Sequence, residues 1–178
     1  MQKIIQVINP FNKLFHLILS IQLILLLIIS LPIQVSFEEL FFRGYLNQGI
    51  SLIIKKPIIV IIISSAIFAL GHIINGGPEP IMVATNLLVP FVVGIILSIY
   101  VLQDEGIERA IGIHLGNNLF AFLIFSSEGS VGTFSTLISA KVDPVLDLIV
   151  TLIAYILFLV GIILYKQEKT LKILKSSN

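Results

Sequence analysis

The most restrictive feature of this chain is a series of apolar stretches, each close to the length that one membrane crossing demands. A helix rises 1.5 Å per residue, so crossing the hydrocarbon core of a bilayer takes about 20 apolar residues. Six stretches approach that length: Leu14–Leu31, Ile33–Ile54, Ile58–Ile74, Ile81–Leu102, Ile107–Phe125 and Val145–Tyr165. Breakers fall between them. Pro32 separates the first two, Lys55-Lys56-Pro57 the next pair, and Asn75-Gly76-Gly77-Pro78-Glu79-Pro80 makes a strong turn. Gln103–Gly106 and the Ser/Gly/Thr-rich segment from Ser126 to Pro144 complete the set. Composition agrees, with 57% hydrophobic and 12% charged residues and a mean hydropathy of +1.08. A soluble domain carries about 45–50% apolar and about 25% charged residues, so this chain lacks the polar surface to cover a globule in water. The predicted fold is all-α: a polytopic transmembrane helix bundle of about six spans, with residues 1–178 forming one integral membrane domain.

The first stretch exceeds the roughly 7–15-residue apolar core of a signal peptide and ends without a small-residue cleavage pattern, so it reads as a retained span. The chain has no Cys, which rules out disulfides, thiol nucleophiles, thiolate metal sites and lipid anchors on Cys. A net charge of +1 carries no footprint of nucleic-acid binding. The distribution of charge says more, because Lys and Arg concentrate in cytoplasmic loops. With six spans and the N-terminus inside, Lys3, Lys13, Lys55, Lys56, Arg109 and the tail lysines from Lys166 to Lys175 fall on one side, and only Lys141 on the other. That bias predicts a cell-membrane protein with both termini in the cytoplasm.

Ionisable side chains inside spans cost about 2.5–3.5 kcal/mol on insertion scales and usually mark function. Three clusters stand out. In Glu38-Glu39-Leu40-Phe41-Phe42-Arg43, Glu39 and Arg43 are i,i+4 neighbours in the favourable order, while Glu38 lies about 100° around the helix. Arg43 is thus placed to compensate Glu39, leaving Glu38 to face a polar cavity. Phe68-Ala69-Leu70-Gly71-His72 sets Phe68 and His72 on one face, with Gly71 allowing a neighbouring helix to approach. His114-Leu115-Gly116-Asn117-Asn118 sets His114 and Asn118 on one face and turns Asn117 towards another helix. His16, beside Lys13, reads as an interfacial histidine. Each cluster alone suits an ion-pair staple, a loop-bonded histidine or a polar clasp between spans. If they meet, they supply a base for water, a proton carrier and oxyanion donors, an apparatus for acyl hydrolysis. Along straight helices, Glu38 and His72 fall towards the outer ends of their spans and His114 towards the inner end. Their meeting therefore requires a broken or tilted helix, and Pro90 is the expected kink.

The three motifs, EExxxR at Glu38–Arg43, FxxxH at Phe68–His72 and HxxxN at His114–Asn118, lie in order on successive apolar segments. They resemble the CAAX prenyl protease and bacteriocin-processing family of membrane proteases over about residues 33–125. The resemblance implies that Glu38 activates the attacking water and that His72 assists proton transfer or binds that water. It implies His114 and Asn118 as oxyanion donors, with Glu39, Arg43 and Phe68 in support. No metal is required on this reading; the alternative is Zn2+ held by Glu38, His72 and His114 with water in the open position, although no H-E-x-x-H sequence is present. The implied substrate is a membrane-embedded or lipidated peptide. In bacterial relatives it is a bacteriocin or signalling-peptide precursor, the setting favoured by the Ile/Lys/Asn-leaning composition. Two other classes compete: a non-enzymatic membrane immunity or binding protein that keeps the fold, and a small proton-coupled transporter. The second would show repeated halves, and the chain shows none.

Overall fold

A computed structural model describes residues 10–73, 75, 77–104, 106–127 and 138–175, with side chains for 21–73, 75, 77–103, 106–124 and 141–172. Its helices are α1 (Pro10–Glu39), α2 (Asn47–Ile53), α3 (Pro57–Leu70), α4 (Pro80–Asp104), α5 (Glu108–Leu119), α6 (Pro144–Tyr165) and α7 (Gln167–Lys175). A π-helical turn, Leu40–Leu46, joins α1 to α2, and a second, Phe120–Ile124, extends α5. Two three-residue strands, β1 (Phe125–Ser127) and β2 (Ile138–Ala140), pair in parallel with Phe125 opposite Ile138. The molecule is a polytopic helix bundle, and among the described residues three helical segments are long and apolar enough to cross a membrane: Ile21–Ile53, Pro80–Gln103 and Pro144–Tyr165. Pro57–Leu70 is a shorter apolar helix.

Several helix starts are written locally. Proline opens α3, α4 and α6, where its missing N–H costs nothing and its fixed φ suits the first turn. At α6, Asp143 Oδ1 also accepts from the backbone N–H groups of Val145 and Leu146, both at 3.0 Å, satisfying two donors that the helix leaves over.

Pro32 does not behave as expected. It lies inside α1, and the first two apolar stretches form one unbroken helical rod. Proline removes one N–H, but no water in a bilayer waits to bond the released carbonyls, so helix on both sides is retained. Lys13 and Lys55 therefore stand at opposite ends of one rod. Pro90 likewise sits within α4. The backbone irregularity nearest the acidic pair is the π turn that begins directly after Glu39.

Helix α4 is the hub, packed against α3, α5, α6 and α7. Ile61 of α3, Ile96 and Ile99 of α4 and Ile162 of α6 form one buried apolar cluster; Val93, Leu97 and Ala110 tie α4 to α5. The close helix crossing falls at Gly94, where an added Cβ would lie 2.9 Å from Ser65 Cβ. Gly71, the glycine expected at such a contact, is exposed, and an added Cβ there meets only the Phe68 carbonyl of its own chain.

Candidate active site

On α1, every fourth residue from Leu31 turns inward: Leu31, Val35, Glu39 and Arg43 are all buried, while Ile29, Ile33 and Phe37 face outward. A helix repeats a face at i+4, so the ion pair continues the same stripe that supplies the apolar contact. Arg43 Nη1 donates to Glu39 Oε1 at 2.8 Å, and Arg43 Nη2 donates to the Gly94 carbonyl at 3.3 Å. Phe68 lies flat beneath the guanidinium, 4.5 Å from ring centroid to Cζ. The arginine is thus held by a carboxylate, a backbone dipole and an aromatic face.

His114 of α5 meets both glutamates. Its Nδ1 is 2.7 Å from Glu39 Oε1 and its Nε2 is 3.7 Å from Glu38 Oε2. Glu39 accepts from Arg43 as a carboxylate, so the short contact places a proton on His114 Nδ1 and turns Nε2 towards Glu38. Glu38 itself is anchored by Gln34, whose amide donates to Glu38 Oε1 at 3.0 Å. The Glu38 side chain keeps 17% exposure, against 0% for Glu39. Of the two neighbours, Glu38 is the one a substrate can reach.

His72 follows α3, and its Nδ1 lies 2.9 Å from the Phe68 carbonyl. A carbonyl only accepts, so this bond protonates Nδ1 and leaves Nε2 as the acceptor nitrogen. The Phe68 ring touches both histidines, with centroids 4.5 Å from His72 and 5.8 Å from His114. Asn118 follows His114 by one helical turn, and its Oδ1 accepts from Asn117 Nδ2 at 3.4 Å. Asn117 also accepts from the Tyr155 hydroxyl, which clasps α5 to α6. Glu38, Glu39, Arg43, Phe68 and His114 thus form one connected cluster, and His72 joins it through Phe68.

The continuous rod changes the place of Glu38 in its segment. Once the rod continues through Pro32, Glu38 lies well inside it rather than near an outer end, within reach of His114. Two contributors were missed. Gln34 stands one turn before Glu38, a polar residue in an apolar run and therefore a readable signal. Gly94 contributes a backbone carbonyl, for which the sequence carries no sign. The side chain of His16 lies outside the described residues.

The zinc alternative meets a geometric test here. Zinc needs its ligands at about 2.0–2.2 Å. The Nδ1 bonds of His114 to Glu39 and of His72 to a carbonyl leave both Nε2 atoms free, as in zinc-ligating histidines, but among the described residues no three His, Asp or Glu side chains cluster closely enough to hold an ion. As placed, Glu38, His72 and His114 are not gathered into a ligand set, and no step is drawn through zinc.

The membrane helix bundle thus brings an arginine and two histidines around one phenylalanine, with the acidic pair against one of those histidines. The family model for type II CAAX prenyl endopeptidase Rce1-like proteins matches residues 20–120, more than half of the chain, and the chain belongs to that family. A curated relative, the uncharacterized protein YyaK of Bacillus subtilis (strain 168), is 30% identical over 146 residues, covering 80% of this chain and 48% of the relative. The chain spans about half the length of that relative. No solved structure matches it.

Proposed function

We propose that the protein is an intramembrane endopeptidase that hydrolyses peptide bonds of membrane-associated peptides with water activated by Glu38. The observation that carries this reading is the partly exposed Glu38 side chain, its Oε2 3.7 Å from His114 Nε2, beside a buried Glu39–Arg43 pair. Arg43 neutralises Glu39, so Glu38 is the carboxylate available to take a proton.

In the proposed reaction Glu38 removes a proton from water while His72, through its acceptor Nε2, binds or relays. The water oxygen adds to the substrate carbonyl carbon. Charge that develops on the carbonyl oxygen is met by the Asn118 amide, and by His114 Nε2 when that ring carries both protons. Collapse breaks the C–N bond, and Glu38 returns its proton to the departing nitrogen. Glu39, Arg43 and Phe68 hold the reacting groups in place. No metal enters this scheme.

The proposed setting is the cell membrane, in bacteriocin or signalling-peptide processing or in self-immunity. Two cytoplasmic termini require an even number of crossings. A rod that crosses once sets Lys13 opposite Lys55 and Lys56, and the lysine bias puts Lys55, Lys56, Arg109 and the tail from Lys166 on the cytoplasmic side. Accessibility labelling of single cysteines near each end separates the two orientations.

The test compares wild type with Glu38→Ala in membranes, following cleavage of a quenched, membrane-tethered peptide library with and without chelator. Cleavage by wild type alone, at equal expression and unchanged by chelator, supports the reading. Loss of wild-type activity with chelator overturns the metal-free part. Protection of cells from a peptide toxin by both proteins, with no cleavage by either, replaces the enzyme with a binding protein.

A further inference from the structure

Beside the charged cluster the bundle holds a cavity of about 670 Å³, within the roughly 300–1,000 Å³ usual for ligand sites. It starts at Leu40, one residue past Glu39, and follows the π turn and α2 as far as Lys55. Val60, Ile61 and Ile107 line the facing wall, which is apolar. The wall formed by the π turn and α2 is different, because Arg43, Asn47 and Ser51 recur along it at four-residue steps.

Two polar atoms of that wall are buried with no hydrogen-bond partner: Arg43 Nε and Asn47 Oδ1. Arg43 is 3% exposed, and its other two nitrogens are already used on Glu39 and the Gly94 carbonyl. The guanidinium Nε can only donate, and the amide oxygen can only accept. Buried polar atoms in folded proteins are nearly always paired, so an unpaired donor and acceptor one helical turn apart describe their missing partner. It presents one acceptor and one donor.

We propose that this cavity is the groove for the substrate backbone flanking the cleaved bond, with Arg43 Nε donating to a substrate carbonyl and Asn47 Oδ1 accepting from a substrate amide N–H. This rests on the endopeptidase reading and adds to it a substrate class: a peptide segment with apolar side chains against Val60, Ile61 and Ile107. Each peptide residue offers one donor and one acceptor. A lipid acyl chain offers neither and would leave both protein atoms unpaired. Arg43 also sets the register, since the guanidinium that would hold the peptide holds the neighbour of Glu38.

The absence of cysteine makes single-cysteine reporters clean. Ser51→Cys places a thiol on the cavity wall, and Gly49→Cys places one on the same helix at an exposed position outside it. Each is made with Glu38→Gln, so that a bound peptide is not consumed. Both are reconstituted in phosphatidylethanolamine vesicles, with or without phosphatidylglycerol, and alkylated with N-ethylmaleimide. The probe is a membrane-tethered peptide that wild type cleaves. The expected result is that the peptide slows alkylation at Ser51→Cys about tenfold and leaves Gly49→Cys unchanged. Alongside, Asn47→Leu raises KM for the same peptide about 3- to 10-fold with kcat little changed, the scale of one lost hydrogen bond. If the peptide is cleaved by wild type yet protects neither thiol, the groove lies elsewhere and the endopeptidase reading stands. If phosphatidylglycerol alone protects Ser51→Cys, a lipid holds the cavity and the proposal fails. A wild type that cleaves no peptide removes the reading beneath it.

Discussion

Two of the polar knots that join helices in this bundle are built from different materials. Where α1 meets α5, the knot is ionic: Glu39, Arg43 and His114, all within 3% of complete burial. Where α4 meets α7, it is largely neutral. Gln103 Nε2 donates to Thr170 Oγ1 at 2.6 Å, Thr170 Oγ1 donates to the Lys166 carbonyl, and Lys169 Nζ donates to the Gln103 carbonyl at 2.8 Å. Amides and hydroxyls suffice to close a helix end. Ions do not come as cheaply, because each costs several kcal/mol to desolvate and a well-packed apolar replacement is often as stable. A knot that keeps its charges beside a partly exposed glutamate is therefore explained better by what it positions than by what it stabilises.

That contrast can be broken by experiment. The largest separation is expected in activity: Glu38→Gln lowers peptide cleavage by about 10²–10⁴-fold, the range for loss of a general base, whereas Gln103→Leu cleaves at the wild-type rate. Equal losses in both variants would erase the functional distinction between the knots. Next is stability. Arg43→Met strands Glu39 as a buried, uncompensated charge and costs about 3–5 kcal/mol, read from denaturant titration in mixed micelles. Adding Glu39→Gln recovers part of that loss, and a double variant no better than the single one would contradict the pairing. Gly94→Val drives a side chain into Ser65, whose Cα would lie 3.1 Å from the new Cβ. It costs about 1–3 kcal/mol, with partial rescue by Ser65→Gly. The smallest effect is in the neutral knot, where Gln103→Leu loses about 1 kcal/mol of stability.

The legible parts of the cluster are those that depend on one helix at a time. Glu39 and Arg43 pair because four residues bring a helix back to the same face, and the same rule sets Asn117 apart from His114 and Asn118. Contacts between helices were harder to read. Nothing local says that His114 reaches Glu39 as well as Glu38, because that depends on how deeply α5 inserts beside α1. The close crossing at Gly94 rather than Gly71 has the same origin: a glycine is a permission, and the neighbouring helix decides whether to use it. Pro32 misled because breaker rules describe helices in water, where freed carbonyls find solvent. In hydrocarbon they do not, and the rod runs through.

By itself the sequence determined the solvent and the ingredients. Apolar runs of crossing length force backbone hydrogen bonds to close within helices, and ionisable residues inside those runs need partners because no water is there to solvate them. The tertiary structure decided the partnerships: Glu39 with both Arg43 and His114, Arg43 with the Gly94 carbonyl, and Phe68 between two histidines. Helical periodicity is a property of the chain, whereas depth and rotation between helices are set only when α4 gathers its neighbours and their side chains interlock.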